Sequence, residues 1–311
     1  MVEAAARAVA PHLRSTNLVI LESTVPPRTC QDVIAPIFAE VGLKIGDDLL
    51  MAHCPERVLP GRGLYEIVHN DRIIGGVNPE STEAAAELYG TFVKGELVKT
   101  DDVTAEFCKL IENTYRDVNI ALANELSRVA RTLGVDITKA IKTANRHPRV
   151  NLLNPGIGVG GHCIPIDPWF VAEVDPESCR LIVSARQIND AQPEVVAGLI
   201  RQEVREVPDP KIVCLGATYK ADIDDPREAP ALSIVRLLGR DGYRVEVHDT
   251  ISKKYGAGRD LIDAVRGAHL VAVLVPHSRM IQEIQANREK LAAVLARDRV
   301  IDFSLGSARS L

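Results

Sequence analysis

Between residues 103 and 134 the apolar side chains Phe107, Leu110, Ile111, Tyr115, Val118, Leu122, Leu126, Val129, Ala130 and Leu133 recur at three- and four-residue steps, with Gly134 as the stop. That is the period of an amphipathic α-helix, and it is longer than a single small domain can bury. A second pattern of similar length covers about residues 181–204 and carries Arg186 and Asn189. We read the pair as a central spine that also forms a dimer interface. The stretches on either side must then build cores of their own, and 311 residues leave room for two or three domains.

Short apolar runs at 17–21, 49–53, 73–76 and 96–98 alternate with helical patterns at 1–13, 30–41 and 81–92. After the spine, runs at 211–215, 243–248, 269–276 and 299–303 alternate with helical patterns at 231–238 and 282–295. Strands alternating with helices predict parallel, doubly wound α/β units, buried on both faces. The expected architecture is therefore α/β: a sheet domain over 1–100, a central long-helix domain over 101–206 and a second sheet domain over 207–311.

Charge and composition exclude several function classes. A net charge of −5 without clustered basic runs argues against nucleic acid as the main partner. No apolar run approaches the roughly 20 residues of a membrane span, and the first ten residues lack the layout of a signal peptide. Six cysteines without C-x-x-C pairs predict reduced thiols in a cytoplasmic protein rather than a disulfide frame or a zinc site.

The chemistry concentrates at 154–170, Asn-Pro-Gly-Ile-Gly-Val-Gly-Gly-His-Cys-Ile-Pro-Ile-Asp-Pro-Trp-Phe. Its glycines, Gly160 among them, let the backbone approach a ligand or take positive φ. They deliver the thiol of Cys163, a nucleophile once its thiolate is stabilised. Asp167 precedes Pro168, which predicts an extended or turn conformation there rather than a helix. Gly156, Gly158 and Gly161 spell G-x-G-x-x-G, but a proline precedes them and prolines follow, so the strand and helix of a dinucleotide fingerprint are missing.

Other candidates stand at expected element ends. Ser23 and Thr24 end the first strand, where open α/β sheets bind ligands, although either hydroxyl would equally cap a helix. Glu56 and Arg57 follow the second strand; a solvated carboxylate is the plainer explanation of Glu56. Lys109 and Asn113 are four apart, so both project from one helix face and could stabilise an oxyanion, or simply face solvent. Lys220 follows the first strand of the last domain and Arg227 lies further on; both are cations that could hold phosphates or be ordinary surface charge.

In order along the chain, Ser23-Thr24-Val25-Pro26, Cys54-Pro55-Glu56, Glu106-Phe107-Cys108-Lys109-Leu110-Ile111-Glu112-Asn113, Gly160-Gly161-His162-Cys163 and Tyr219-Lys220 with Arg227-Glu228 resemble the nucleotide-sugar 6-dehydrogenase family, which contains the UDP-glucose, GDP-mannose and UDP-N-acetylhexosamine dehydrogenases. Gly-Gly-His-Cys-Ile-Pro with Asp-Pro, and the run Ala144-Asn145-Arg146-His147-Pro148-Arg149-Val150-Asn151, resemble its N-acetylhexosamine branch. The resemblance implies Rossmann-like folds for both sheet domains, NAD as cofactor, a UDP-sugar substrate and a homodimer or larger assembly through the central helices. It also implies that the first domain is incomplete: family members begin with a G-x-G-x-x-G half, on the order of 90 residues, that this chain does not supply.

The implied reaction is a four-electron oxidation of the sugar C6 alcohol of UDP-N-acetyl-D-mannosamine to a carboxylate through a Cys163 thioester. Lys109 and Asn113 would stabilise oxyanions, Asp167 and Thr24 would position a water, and Glu56 would act as hydrolytic base. Ser23, Thr24 and Arg227 would face the cofactor. Lys220 would hold the diphosphate, and Arg57, Arg146, His147, Arg149, Asn151 and Gly160 would contact the substrate. UDP-N-acetylglucosamine or UDP-glucose is the alternative substrate, and a non-catalytic UDP-binding dimerisation fragment the alternative class.

Overall fold

The computed structural model describes residues 1–58 and 62–311. The chain divides into two compact units, Met1–Thr114 with Asp167–Cys179, and Tyr115–Ile166 with Arg180–Leu311. Among the described residues no helix is long and apolar enough to cross a membrane.

The first unit holds a four-stranded sheet in the order β1 (Leu18–Leu21), β2 (Leu50–His53), β3 (Arg72–Gly76), β4 (Leu97–Asp101). Successive strand residues point to opposite faces. Val19, Leu21 and Met51 thus join Ala6 and Ala10 of the N-terminal segment and Ile34, Ile37 and Phe38 on one side. Leu18, Ile20, Ala52 and Ile74 meet Ala85, Ala86 and Tyr89 on the other. The helices that supply these faces are α1 (Val2–Val9), α2 (Ala35–Ala39) and α4 (Pro79–Gly90), with the short α3 (Gly63–His69) between β2 and β3.

Two expectations need correction here. The β1/β2 and β3/β4 pairs are parallel, but β2 and β3 run antiparallel, with Ala52 opposite Gly76. Hydrophobic runs encode burial and not direction, so the sequence carries no mark of this reversal. The helix expected over 30–41 is a π turn, Cys30–Ile34, leading into α2. Pro36 lacks the N–H that an unbroken α ladder would need, and the turn before it widens.

α5 (Asp102–Leu133) is the predicted long helix, 32 residues in one piece. Its pattern does not all point inward. Leu110, Ala121, Ala123 and Ala130 are buried, whereas Phe107, Ile111, Tyr115, Leu122, Val129 and Leu133 are exposed. α6 (Ile137–Ala144) was not expected; the Asp136 side chain caps it by accepting from the N–H groups of Thr138 and Lys139. α7 (Asp167–Val174) begins at Asp167, and α8 (Arg180–Val204) follows.

In the second unit β5 (Lys211–Leu215), β6 (Arg244–His248), β7 (Leu270–Val273), β8 (Val300–Asp302) and β9 (Arg309–Ser310) lie in the order β6-β5-β7-β8-β9, parallel except for the last. Ile212 and Cys214 pack with Val196 and Ile200 of α8 and with Ile234 and Leu238 of α9 (Pro230–Arg240). Val213 and Leu215 pack with Leu261 and Val265 of α10 (Leu261–Val265) and with Met280, Ile284 and Leu291. Burying each such leucine or isoleucine is worth about 2 kcal/mol. The single helix expected over 282–295 is two, α11 (Ser278–Ala286) and α12 (Arg288–Val294), broken at Asn287, whose side-chain amide donates to the carbonyl of Glu283. From β5 the chain crosses to β6 on one side and then to β7 on the other. This reversal opens a crevice beyond the carboxyl ends of β5 and β7.

Candidate active site

In the second unit the glycine loop is fixed from both flanks. The Asn124 side-chain oxygen accepts from Gly156 N–H (2.8 Å), and the Gln192 amide donates to the Gly156 carbonyl (2.9 Å). Asn124 in turn donates to Asn189 (2.9 Å), which donates to Asp117, the buried partner of Arg186 at 2.5 Å. α5 and α8 thus hold the loop through buried polar side chains.

Close approach is what its glycines provide. A Cβ on Gly160 would lie 2.6 Å from the Pro230 ring, 2.7 Å from the Glu228 carbonyl and 2.9 Å from Tyr219 Cβ. Gly161, at φ +82°, lies over the Tyr219 ring. The segment carrying Cys163 is therefore pressed onto the segment carrying Lys220 and Glu228. Cys163 itself is exposed, its Sγ 3.7 Å from His162 Nδ1. By contrast, burial pushes the thiols of Cys54 and Cys214 up to about 12 and that of Cys30 higher still.

Lys220 is exposed, and its carbonyl accepts from the buried Thr218 hydroxyl (2.9 Å). Arg227 forks onto Asp225, Nε to Oδ1 at 2.9 Å and Nη2 to Oδ2 at 2.7 Å, which holds that carboxyl down at about 2. A phosphate would have to compete for this guanidinium. Arg146, His147 and Arg149 sit exposed beyond α6, where His147 Nδ1 accepts from Arg149 N–H. At Asn151 it is the carbonyl that is held, by the Asn119 amide at 2.9 Å.

The first unit brings together Lys109, Asn113 and Asp167. Asp167 is not extended: it opens α7, because a proline in the second position of a helix falls where the N–H has no intrahelical partner anyway. The Asn113 amide donates to Asp167 Oδ2 at 2.5 Å. Burial pushes the Asp167 carboxyl above the usual range, against that hydrogen bond and the charge of Lys109. One N–H of Asn113 is thus already committed to the carboxylate.

Glu56 and Arg57 stand beside the same helix, since Arg57 pairs with Glu112 of α5 at 3.1 Å. Glu56 Oε1 accepts from Arg57 N–H (2.6 Å), and Oε2 lies 3.6 Å from Arg72 Nη2. Arg72, only 5% exposed, also faces Glu22 at 3.6 Å and stacks over the Tyr89 ring, whose hydroxyl donates to Glu22 at 2.5 Å. Sequence reading missed Arg72, which opens an apolar strand and carries no motif.

It also missed that Cys30, His53 and Glu106 bring ligand-type atoms within 4.8 Å of one another. Both oxygens of Glu106 there serve main-chain N–H groups, of Cys30 at 2.9 Å and of Arg28.

Ser23, exposed, and Thr24, half-buried, stand at the carboxyl end of β1, where hydroxyls suit one end of a dinucleotide. The strand-to-helix turn at Gly75-Gly76 is no phosphate cradle. Cβ atoms there would fall 2.2 Å from the Asp101 carbonyl and 2.3 Å from Thr82 N, so the chain itself fills that space.

One α/β unit thus carries an exposed thiol on a glycine loop against a lysine-bearing sheet end, and the other a helix-borne Lys and Asn with a buried Asp. Residues 1–93, 103–191 and 213–304 match the NAD binding, central and UDP binding domains of the UDP-glucose/GDP-mannose dehydrogenase family. An NDP-N-acetyl-D-galactosaminuronic acid dehydrogenase of Ralstonia solanacearum is 46% identical over 292 residues, 89% of this chain and 69% of that protein. A UDP-N-acetyl-D-mannosamine dehydrogenase of Methanocaldococcus jannaschii is 44% identical over 274 residues, 88% of this chain and 62% of that one. The solved UDP-D-ManNAc dehydrogenase of Pyrococcus horikoshii superposes with a TM-score of 0.91 at 39% identity, covering 98% of this chain and 73% of that structure. The chain belongs to the UDP-glucose/GDP-mannose dehydrogenase family.

Proposed function

We propose that the chain carries the sugar-oxidising machinery of a UDP-N-acetylhexosamine 6-dehydrogenase, with UDP-N-acetyl-D-mannosamine as substrate and the C6 carboxylate as product. The observation that carries this reading is the packing of Gly160 and Gly161 on Tyr219 and Glu228, which sets the thiol-bearing loop against the loop of Lys220. A cation for the diphosphate and a nucleophile for the sugar carbon then share one unit.

NAD+, two equivalents per sugar, supplies the hydride acceptor when bound. The C6 alcohol first loses a proton and a hydride to become an aldehyde. The Cys163 thiolate adds to that carbon, the adduct loses a second hydride to become a thioester, and water releases the carboxylate and restores the thiol. Lys109 and the remaining Asn113 N–H stabilise the oxyanions, and Asp167, biased toward its protonated form, relays protons with Thr24. Glu56, steered by Arg72, activates the water. Arg57, Arg146, His147, Arg149 and Asn151 contact substrate, and Ser23, Thr24 and Arg227 face the cofactor. Residues 1–100 serve the cofactor, 101–206 dimerisation and the catalytic loop, and 207–311 UDP. The exposed apolar stripe of α5 supports a homodimer.

The test is turnover of UDP-N-acetyl-D-mannosamine followed by NADH absorbance, beside calorimetric titration with UDP. We expect two NADH per uronate, loss of uronate in Cys163→Ser, and weaker UDP binding in Lys220→Ala. Undiminished uronate from Cys163→Ser would remove the nucleophile, and a parent chain that ignores UDP would remove the reading. Names of relatives also favour a galacto substrate, so UDP-N-acetyl-D-galactosamine is the comparison to run alongside.

A further inference from the structure

The loop carrying Lys220 follows β5 without regular structure, yet its main chain is pinned at a strained point. Asp222 sits at φ +62°, a left-handed conformation that costs a non-glycine residue of order 1 kcal/mol and persists only where the surroundings impose it. What imposes it is a buried pair from the neighbouring strands. His277, just beyond β7 and 0% exposed, accepts the Asp222 N–H at Nδ1 (2.9 Å), and its Nε2 faces the Asp249 carboxylate at 2.9 Å. Because Nδ1 accepts, the ring proton resides on Nε2 and points at Asp249.

Asp249, just beyond β6, is equally buried, and it accepts from Ala217 N–H (2.7 Å) at the start of the same loop. It also accepts from Ile251 and Ser252 N–H. Thr218, whose hydroxyl holds the Lys220 carbonyl, lies 3.4 Å from His277 Nε2. The Asp222 carboxylate reaches across to Ser278 N–H (2.8 Å) and caps α11, whose own N-cap residue offers no side-chain cap. Both ends of the loop are therefore tied to one imidazole at the topological switch point.

We infer that His277, oriented by Asp249, is the positioning residue that presents Lys220 to the diphosphate of the nucleotide sugar. The inference rests on the reading of Lys220 given above. His277 touches neither substrate nor cofactor in this role; it acts through the loop's main chain. Substitution should weaken UDP binding by as much as loss of one well-made hydrogen bond allows, roughly tenfold.

Calorimetric titration with UDP of the parent chain, Lys220→Ala, His277→Ala and the double variant decides it, with thermal melting recorded for each. We expect His277→Ala to weaken UDP about tenfold alone but less than about twofold when Lys220 is already alanine, since the two act through one contact. His277→Asn, whose side-chain oxygen can replace Nδ1 as acceptor from Asp222 N–H, should recover part of the affinity; it also stands in should the alanine variant not fold. Unchanged UDP affinity in both His277 variants, whatever their melting temperatures, overturns the inference. So does an equal loss in both Lys220 backgrounds. If Lys220→Ala itself binds UDP normally, the fault lies with the reading of Lys220 and not with His277.

Discussion

Each unit buries a histidine and an aspartate, and the two units treat them in opposite ways. In the second unit His277 and Asp249 serve each other, and every oxygen of Asp249 finds donors. Burial alone would raise the Asp249 carboxyl, but the hydrogen bonds from His277, Ser252, Ala217 and Ile251 overcome it and drive the group far below the usual range. In the first unit His53 has no hydrogen-bond partner among the described residues on either ring nitrogen, and burial pushes it down to about 4. Asp167 has one donor, Asn113, and burial wins, so it is shifted upward. The first arrangement fixes charge and shape. The second leaves groups biased toward the neutral form, as proton transfer needs and a rigid anchor does not.

The largest test of this contrast is Asp249→Ala. It strips acceptors from three main-chain N–H groups and from His277 inside the core, each a buried donor left unsatisfied. We expect a loss of about 3 kcal/mol or more in chemical denaturation, with poor UDP binding by whatever remains folded. A variant of near-parental stability would mean that the network is ornamental and the contrast empty.

The network lay beyond reach of the sequence for a physical reason. Asp249, His277 and Asp222 are separated by 28 and 55 residues, and only the parallel order β6-β5-β7 brings them together. Strand and helix periods did yield that order's elements, because alternation of apolar runs states burial directly. They could not yield the antiparallel β2/β3 pair or the hidden helices α6 and α7, where direction and capping decide and hydrophobicity does not. At the site, the local features were readable: Gly160 needs its glycine, and Lys109 and Asn113 share a helix face. Arg72 was not, since its pairing with Glu22 and Glu56 spans β1, β2 and β3. Which half of the α5 stripe stays exposed was not legible for the complementary reason: periodicity reports an apolar face, not what covers it.

His53 gives an intermediate test, through pH. Its folded value lies below the ordinary histidine value of about 6.5. The unfolded chain therefore binds the proton more tightly, and stability falls as the pH drops from about 6.5 toward 4, by at most about 3 kcal/mol from this group. His53→Leu keeps the buried position apolar and should flatten that window in urea melts at pH 7, 5.5 and 4.5. A slope unchanged by the substitution would show that His53 has a partner in solution, and the unit would then be as tightly wired as its counterpart.

The smallest effect on stability belongs to Asp167→Asn. The raised carboxyl value means the folded chain holds the proton more tightly than the unfolded one, so ionisation costs stability as the pH climbs past the ordinary aspartate value of about 4. The amide is isosteric, can still accept from Asn113, and never ionises. At pH 7 the variant should be at least as stable as the parent, and any gain should vanish below about pH 4. Uronate formation should nevertheless collapse, because an amide cannot relay a proton. A variant that loses stability at pH 7 would place Asp167 with Asp249 among the fixed charges and erase the distinction between the two units.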